Sequence, residues 1–401
     1  MQTQQTGVVI AGGGPAGMMC GYLLARQGIA VTVLEKHADF LRDFRGDTVH
    51  PSTLQVMHEL GVLAEFLKLP HAVVRHVSID IGEEHFTVGD FSHLPTACKY
   101  IALMPQWDFL DFLAGKAKAL PNFHLMMSTE ATGLIVEDGD VRGISARGPD
   151  GALDIRAGLT IAADGRGSTL RDRSGLRLDD IGAPFDVLWM RLPRIDSDPV
   201  DVVGRIQGGG FFVMIYRGDY WQCAYIIAKG SFDAIKTEGI AAFQDSLRMV
   251  AGFAADRAGT IESFDQVKLL TVAVNRLRQW ARPGLLCIGD AAHAMSPVGG
   301  VGINLAIQDA VAASNILGPV LAKGPATLAD LNRVQRRREF PTRIIQGFQV
   351  FVQNRVLTPA LDLHRTPKVP GIVRLMNAWP LLRRFPARFI GLGPRPEHVQ
   401  T

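Results

Sequence analysis

The sequence predicts an α/β protein in which a helix-flanked parallel sheet is interleaved with an antiparallel-sheet domain and followed by C-terminal helices. Three observations predict it. A strand–helix–strand unit with glycines at its first turn opens the chain. Strand-glycine-helix patterns return late, at 159–171 and 285–310, and β-rich runs fill the stretch between them. At 401 residues the chain is long for one simple core, so two intertwined domains are the natural prior.

The composition is that of an ordinary globular protein, 47% hydrophobic and 20% charged, with 42 glycines as its one enrichment. A net charge of +3 does not by itself suggest nucleic-acid binding. Cys20, Cys98, Cys223 and Cys287 lie far apart without a C-x-x-C pair, which predicts buried thiols rather than disulfides or a metal site. The N-terminus lacks a basic patch followed by an apolar stretch, and no apolar run reaches the ~18 residues of a membrane span. A cytoplasmic location is therefore expected.

The opening unit reads "GVVIAGGGPAGMMCGYLLARQGIAVTVLEK" from Gly7 to Lys36. A β-branched run, Val8 to Ala11, meets glycines; a helix is predicted from Pro15 to Gln27, and Gly28 stops it before a second strand from Ala30 to Leu34. Gly12, Gly14 and Gly17 match the Rossmann-like G-x-G-x-x-G pattern. The first glycine makes the tight turn, the second admits a pyrophosphate to the backbone, and the third lets helix pack on strand. Pro15 and Ala16, at the helix start, join these glycines as candidate cofactor contacts, because helix N–H groups there face the phosphates. Glu35, followed by Lys36, closes the second strand where an acid binds an adenosine ribose. A carboxylate there repels a 2′-phosphate, so FAD or NAD is expected, not NADP; the fingerprint alone does not separate those two.

The later motifs separate them. "LTIAADGRGSTLR" places Asp164 at a strand end, with Ser168 and Arg171 following at D-G-x-x-S-x-x-R spacing. In isolation this reads as a strand-end turn. "GDAAHAMSPVGGVGINLAIQDA" then puts Asp290 at the end of a buried strand, and Pro297, Gly299, Gly300 and Gly302 lead into a helix from about Ile303. Glycines let backbone N–H groups crowd a flat ligand, and the helix start adds positive potential. FAD is long enough to need this second anchor. Asp290 can accept hydrogen bonds from ribityl hydroxyls, and the Gly302 to Asn304 turn can donate to the pyrimidine edge of a flavin.

Taken together, the three motifs resemble the flavoprotein aromatic hydroxylase family, in the family's order and over roughly residues 6 to 330. The resemblance implies noncovalent FAD, NADH or NADPH as a transient electron donor, molecular oxygen, and a C4a-hydroperoxyflavin that inserts one oxygen atom into a small aromatic or polycyclic substrate. It implies that Asp164 serves both FAD and the passing nicotinamide, and that Asp290 meets the ribityl chain. Arg45 matches an arginine lying against FAD, Gln106 a helix-start residue touching the flavin's ribityl and phosphate portion, and Ala131 a strand contacting adenine. His293 belongs to the motif as a structural residue rather than a base.

The FAD-binding domain is accordingly expected over 1–75, 98–180 and 275–330, and the substrate-binding sheet over 76–97 and 181–274. Two strands around Arg217-Gly218-Asp219 read as a hairpin. Phe212, Met214 and Tyr216 share one face of it, and Trp221, Gln222 and Tyr225 lie on the return strand; one of these faces should line the pocket, and the face of Phe212 and Met214 is expected to keep water off the flavin. No catalytic group is identified; Tyr216, Tyr225, His50 and His71 remain open candidates, and no metal is expected. From 331 to 401 a helical segment carries thirteen Lys or Arg against three acids. It reads as a cap over the flavin domain, with peripheral membrane contact or a homodimer surface as the alternatives. Competing functions are a reductase of the same superfamily, a flavin-dependent halogenase, whose Trp-x-Trp-x-Ile-Pro segment is absent here, and a redox-dead scaffold.

Overall fold

The computed structural model describes residues 2–41, 48–199, 203–207, 209–361 and 369–400. Its main sheet runs in the order Ala281–Arg282, Leu285–Cys287, Gly151–Ala162, Gln2–Ala11, Val31–Leu34, Phe123–Met126, parallel except at the first edge pair. Antiparallel Asp140–Gly148 and Glu130–Glu137 extend it from the long strand Gly151–Ala162. Val8, Val9, Ile10, Val31, Val33, Leu159 and Ile161 have no exposed surface. Burial on both faces is why these strands read as continuous apolar runs rather than alternating ones.

Register places the site. Ala11 pairs with Ala162, and the Ile288 N–H donates to the Ala162 carbonyl at 3.0 Å. The ends of three adjacent strands therefore fall level, and Gly12, Asp164 and Asp290 all leave the sheet at its carboxyl edge, where open α/β sheets bind ligands. Helices Pro15–Arg26 and Gly302–Leu321 lie side by side, joined by Gln27 Nε2 donating to Ser314 Oγ at 2.7 Å.

A second sheet runs Lys268–Leu270, Phe185–Pro193, Tyr220–Ala228, Gly210–Tyr216, Val203–Gln207, His76–Ile81, Glu84–Asp90. It is antiparallel apart from the pairing of Val203–Gln207 with His76–Ile81. The predicted hairpin turns at Gly218, whose φ of +84° suits glycine, with the Arg217 N–H donating to the Tyr220 carbonyl at 3.0 Å. Helix Ile240–Val250 covers one face through Phe243, Leu247 and Val250. Beneath it, Asp198 accepts from Arg257 Nη2 at 2.9 Å and from Trp221 Nε1 at 2.8 Å, tying the sheet to the turn Gly252–Thr260.

The expected boundary at 331 falls inside one long helix, Leu328–Val352. The chain then continues through helix Gly371–Ala378, turn Pro380–Arg383 and helix Arg384–Leu392. This segment does more than cap the flavin side, because the last two helices pack on strand Glu84–Asp90 of the second sheet. Its tail returns to the first domain, where Val399 N–H donates to Glu59 Oε2 at 2.8 Å. All four cysteines are free and buried. Among the described residues, no helix is long and apolar enough to cross a membrane, and no cluster of three or more His, Cys, Asp or Glu is placed to hold a metal.

Candidate active site

At the first turn the three glycines have different surroundings. Gly12 has φ +104°, and a Cβ on it would lie 2.2 Å from the Ala163 carbonyl oxygen. A Cβ on Gly17 would lie 1.9 Å from the Gly12 oxygen. Gly14 instead faces open space, with nothing within 4 Å of a Cβ. Two glycines are thus demanded by the fold and the third leaves a gap for a ligand. No side chain caps helix Pro15–Arg26, so the N–H groups at Pro15, Ala16 and Gly17 form a donor edge, less the one proline lacks.

Glu35 is buried at the end of its strand and accepts from the Gly13 N–H at 3.0 Å and the His37 N–H at 3.1 Å. The carboxylate is thereby fixed beside the glycine turn. Lys36 points to solvent. The Thr129 N–H donates to the Glu35 carbonyl at 2.8 Å, which starts the strand carrying Ala131 beside the same edge. Gln106 opens helix Gln106–Lys118, half-buried, and that helix packs on Pro15–Arg26. Arg45 lies outside the described residues.

In the second motif Ser168 is an N-cap: its Oγ accepts from the Arg171 N–H at 3.0 Å and donates to Asp164 Oδ1. The Leu170 N–H donates to Asp164 Oδ2 at 3.1 Å. Arg171 Nη2 holds the Arg166 carbonyl at 2.9 Å. The D-G-x-x-S-x-x-R spacing is therefore a self-bonded turn that aims Asp164 at the sheet edge. Burial pushes the Asp164 carboxyl above its ordinary range, against the opposing hydrogen bonds from Ser168 and Leu170.

Arg166, which sequence reasoning passes over, joins the second motif to the third. Its Nε donates to Asp290 Oδ2 at 3.1 Å, both side chains about a third exposed. The only signal for it was a cation in one of the two free positions after Asp-Gly. Gly289, φ +59°, seats the Asp290 turn against the first helix; a Cβ there would lie 3.0 Å from the Ala16 Cβ. Asp309 anchors that turn from behind, accepting from the Gly289 N–H at 3.1 Å, His293 Nε2 at 2.6 Å and Arg338 Nε at 3.0 Å. Burial alone would raise the Asp309 carboxyl, but His293 and Arg338 outweigh it and hold it below its ordinary range. His293 is buried in this network, as a structural residue would be.

Pro297 precedes a turn through Gly299 (φ +79°) and Gly300 (φ +62°), and Thr48 Oγ1 donates to the Gly300 carbonyl at 2.9 Å. Helix Gly302–Leu321 then starts with no side-chain cap, and Gly302 has only the Met295 Cβ at 4.0 Å near a Cβ position, leaving the Gly302 and Ile303 backbone open. The Asn304 side chain is consumed inside the fold: its Oδ1 accepts from the His50 N–H at 2.9 Å and Thr53 Oγ1 at 2.7 Å. Only its backbone is left for a cofactor.

The face of Phe212 and Met214, expected to line the pocket, is sealed beneath a helix. Phe212 and Met214 are fully buried under helix Ile240–Val250, together with Leu188, Met190, Trp221 and Cys223. The opposite face carries Trp189, Phe211 and Val213, all half-buried, in one cluster with Val298 of the glycine-rich turn. A period of two reads the alternation but not which side meets the other domain. Tyr225 accordingly packs against Phe212 and Phe243. His50 is fully buried, its Nδ1 2.9 Å from the Ile390 carbonyl, and burial lowers it to about 4 against that bond. His71 is held at 2.8 Å from the Leu69 carbonyl and stacks on Tyr100.

An FAD binding domain family matches residues 5–347. The chain is 33% identical to 6-methylpretetramide 4-monooxygenase of Streptomyces rimosus over 388 residues, 95% of this chain and 90% of that protein. It is 26% identical to para-nitrophenol 4-monooxygenase of Pseudomonas sp. strain WBC-3 over 356 residues, 83% of each chain. Among solved structures, PqsL of Pseudomonas aeruginosa, a probable FAD-dependent monooxygenase, superposes with a TM-score of 0.76 at 21% identity, covering 90% of this chain and 98% of that one. The open Gly14 gap, the fixed Glu35, the partly exposed Asp290 and the uncapped helix at Gly302 fit an extended dinucleotide. The chain is an enzyme of the FAD-dependent aromatic monooxygenase family.

Proposed function

We propose that the protein hydroxylates an aromatic or polycyclic substrate, using O2 and a nicotinamide nucleotide that binds only in passing. The half-buried Trp189–Phe211–Val213 face, clustered with Val298 of the cofactor turn, carries this reading. One side of the sheet is sealed by a helix, while the other is apolar and half-buried, sharing its cluster with Val298 of the cofactor turn and with Val352 and Leu357 of the C-terminal segment. A flat hydrophobic molecule fits such a wall.

FAD, when bound, would supply the redox chemistry that a nicotinamide-dependent hydroxylation with O2 requires. The chain's own groups do the holding. The N–H edge after Gly14 takes the pyrophosphate, Glu35 the adenosine ribose, and Asp290 the ribityl hydroxyls. The uncapped start of Gly302–Leu321 supplies positive potential for the anionic reduced cofactor. Trp189 and Val213 exclude water from the substrate side. No second G-x-G-x-x-G occurs in the chain, which favours transient nicotinamide binding.

The test is product mass and NAD(P)H consumption across a panel of phenols and fused-ring phenolic compounds. The expected result is a product one oxygen atom heavier than at least one panel member, with nucleotide oxidation accelerated by that compound. Nucleotide oxidation that no aromatic compound accelerates would remove the proposal.

A further inference from the structure

The geometry points to a preformed docking surface for an anionic lipid bilayer on the last two helices. On Gly371–Ala378 and the residue after it, Ile372, Leu375 and Trp379 follow at spacings of three and four, one stripe of a helix. They are 59%, 45% and 65% exposed. Leu381 in the next turn and Phe385 on helix Arg384–Leu392, the elements that follow directly, are 65% and 72% exposed. Side chains this large and this exposed stand out as a ridge.

The elements that carry these side chains are packed into the fold and tied to one another. Ala387 is fully buried, and a Cβ on Gly391 would lie 2.8 Å from Leu94 and 3.2 Å from Phe91. Arg383 Nε and Nη2 hold the carbonyls of Met376 and Asn377, both at 3.0 Å, which fixes one helix against the other. The inner side of the second helix belongs to the fold, and Ile390 packs in one cluster with Val213 and Trp189.

Charge selects the occupant. From 369 to 396 the chain has five arginines and no Asp or Glu. Arg374, Arg384 and Arg388 are exposed beside the ridge, and Arg374 has Glu84 Oε1 as a weak exposed partner at 3.6 Å. A two-fold interface would set this basic patch against itself, which repulsion disfavours. Aromatic and aliphatic side chains on one face, with arginines at their edges, instead match the boundary between anionic headgroups and acyl chains.

The experiment is co-sedimentation of the FAD-loaded full chain with vesicles of equal parts phosphatidylglycerol and phosphatidylcholine, and with phosphatidylcholine alone. The inference expects binding to the anionic vesicles that weakens with salt and is at least about tenfold weaker on phosphatidylcholine. Trp379→Ser/Leu381→Ser/Phe385→Ser should abolish it. Arg384→Gln/Arg388→Gln should reduce partitioning about tenfold or more, since each arginine near such a surface contributes roughly a factor of five. FAD content and oxidase background should be unchanged in both variants, because none of these residues lies in the cofactor machinery. Protein that stays in the supernatant with anionic vesicles at low salt overturns the inference, as does binding that both variants retain. Concentration-dependent dimerisation that the triple variant abolishes, without vesicle binding, would assign the ridge to a second copy instead.

Discussion

Arg166 and Asp290, 124 positions apart, form an ion pair at 3.1 Å between the turns that end two neighbouring parallel strands. Both side chains are about a third exposed, so the pair itself contributes little stability. Its consequence is orientation: Arg166 holds one carboxylate oxygen, and under the proposed function the other is the one that would meet the ribityl hydroxyls. Asp290→Ala should therefore weaken FAD binding by about 1.5–3 kcal/mol, roughly 10- to 150-fold, the range for hydrogen bonds to a charged group. Fluorescence titration of the FAD-free protein measures it. Unchanged affinity would make Asp290 a turn residue only.

The glycines of the first turn should separate folding from binding. Gly12→Ala places a methyl against the Ala163 backbone at a positive φ and should cost about 3 kcal/mol or more of stability. Gly14→Ala enters open space at φ −73°. Its FAD-free protein should melt like the parent while FAD affinity falls. Equal loss of melting temperature in both variants would contradict the division.

The two faces of the second sheet make a further contrast. Met214→Ala removes a fully buried side chain beneath helix Ile240–Val250 and should destabilise by about 2–5 kcal/mol, leaving the coupling of oxygen use to product near that of the parent. Trp189→Ala should instead raise hydrogen peroxide release with aromatic ligand present, because it opens the half-buried face beside Val298. The reverse pattern would return the pocket to the Phe212 and Met214 side.

His50 gives a pH signature. Burial holds its folded value at about 4, below the ordinary imidazole value of about 6.5. Between those values the unfolded chain takes up a proton that the folded chain refuses. Its contribution is therefore fully present above pH ~6.5 and lost as pH falls towards ~4. Denaturant midpoints across that window should decline in the parent and decline less in His50→Gln. Identical slopes would remove His50 from the account.

Much of this architecture was legible in the sequence because its signals are local. Gly12, Gly14 and Gly17 report backbone demands within one turn, and the runs Val8 to Ala11 and Leu285 to Ile288 report strands buried on both faces. What escaped depends on distant packing. Arg166 has meaning only once register sets Ala162 between Ala11 on one side and Cys287, which leads into the Asp290 turn, on the other. Phe212 alternates with Phe211 as a strand should, yet which of them is sealed from solvent is decided by helix Ile240–Val250, whose docking leaves no mark on the hairpin itself. The Gly302 to Asn304 turn was legible as a donor edge, but that the Asn304 side chain is spent on His50 and Thr53, more than 250 positions away, was not.

The most direct test of the central claim follows oxygen and product together under turnover with NAD(P)H and an accepted aromatic substrate. The expected result is slow nucleotide oxidation alone, faster oxidation with the substrate, and one O2 consumed for each hydroxylated product, with no turnover when oxygen is removed. Reduction of a carbon–carbon double bond at full rate without oxygen would contradict it and make the protein a flavin-dependent reductase.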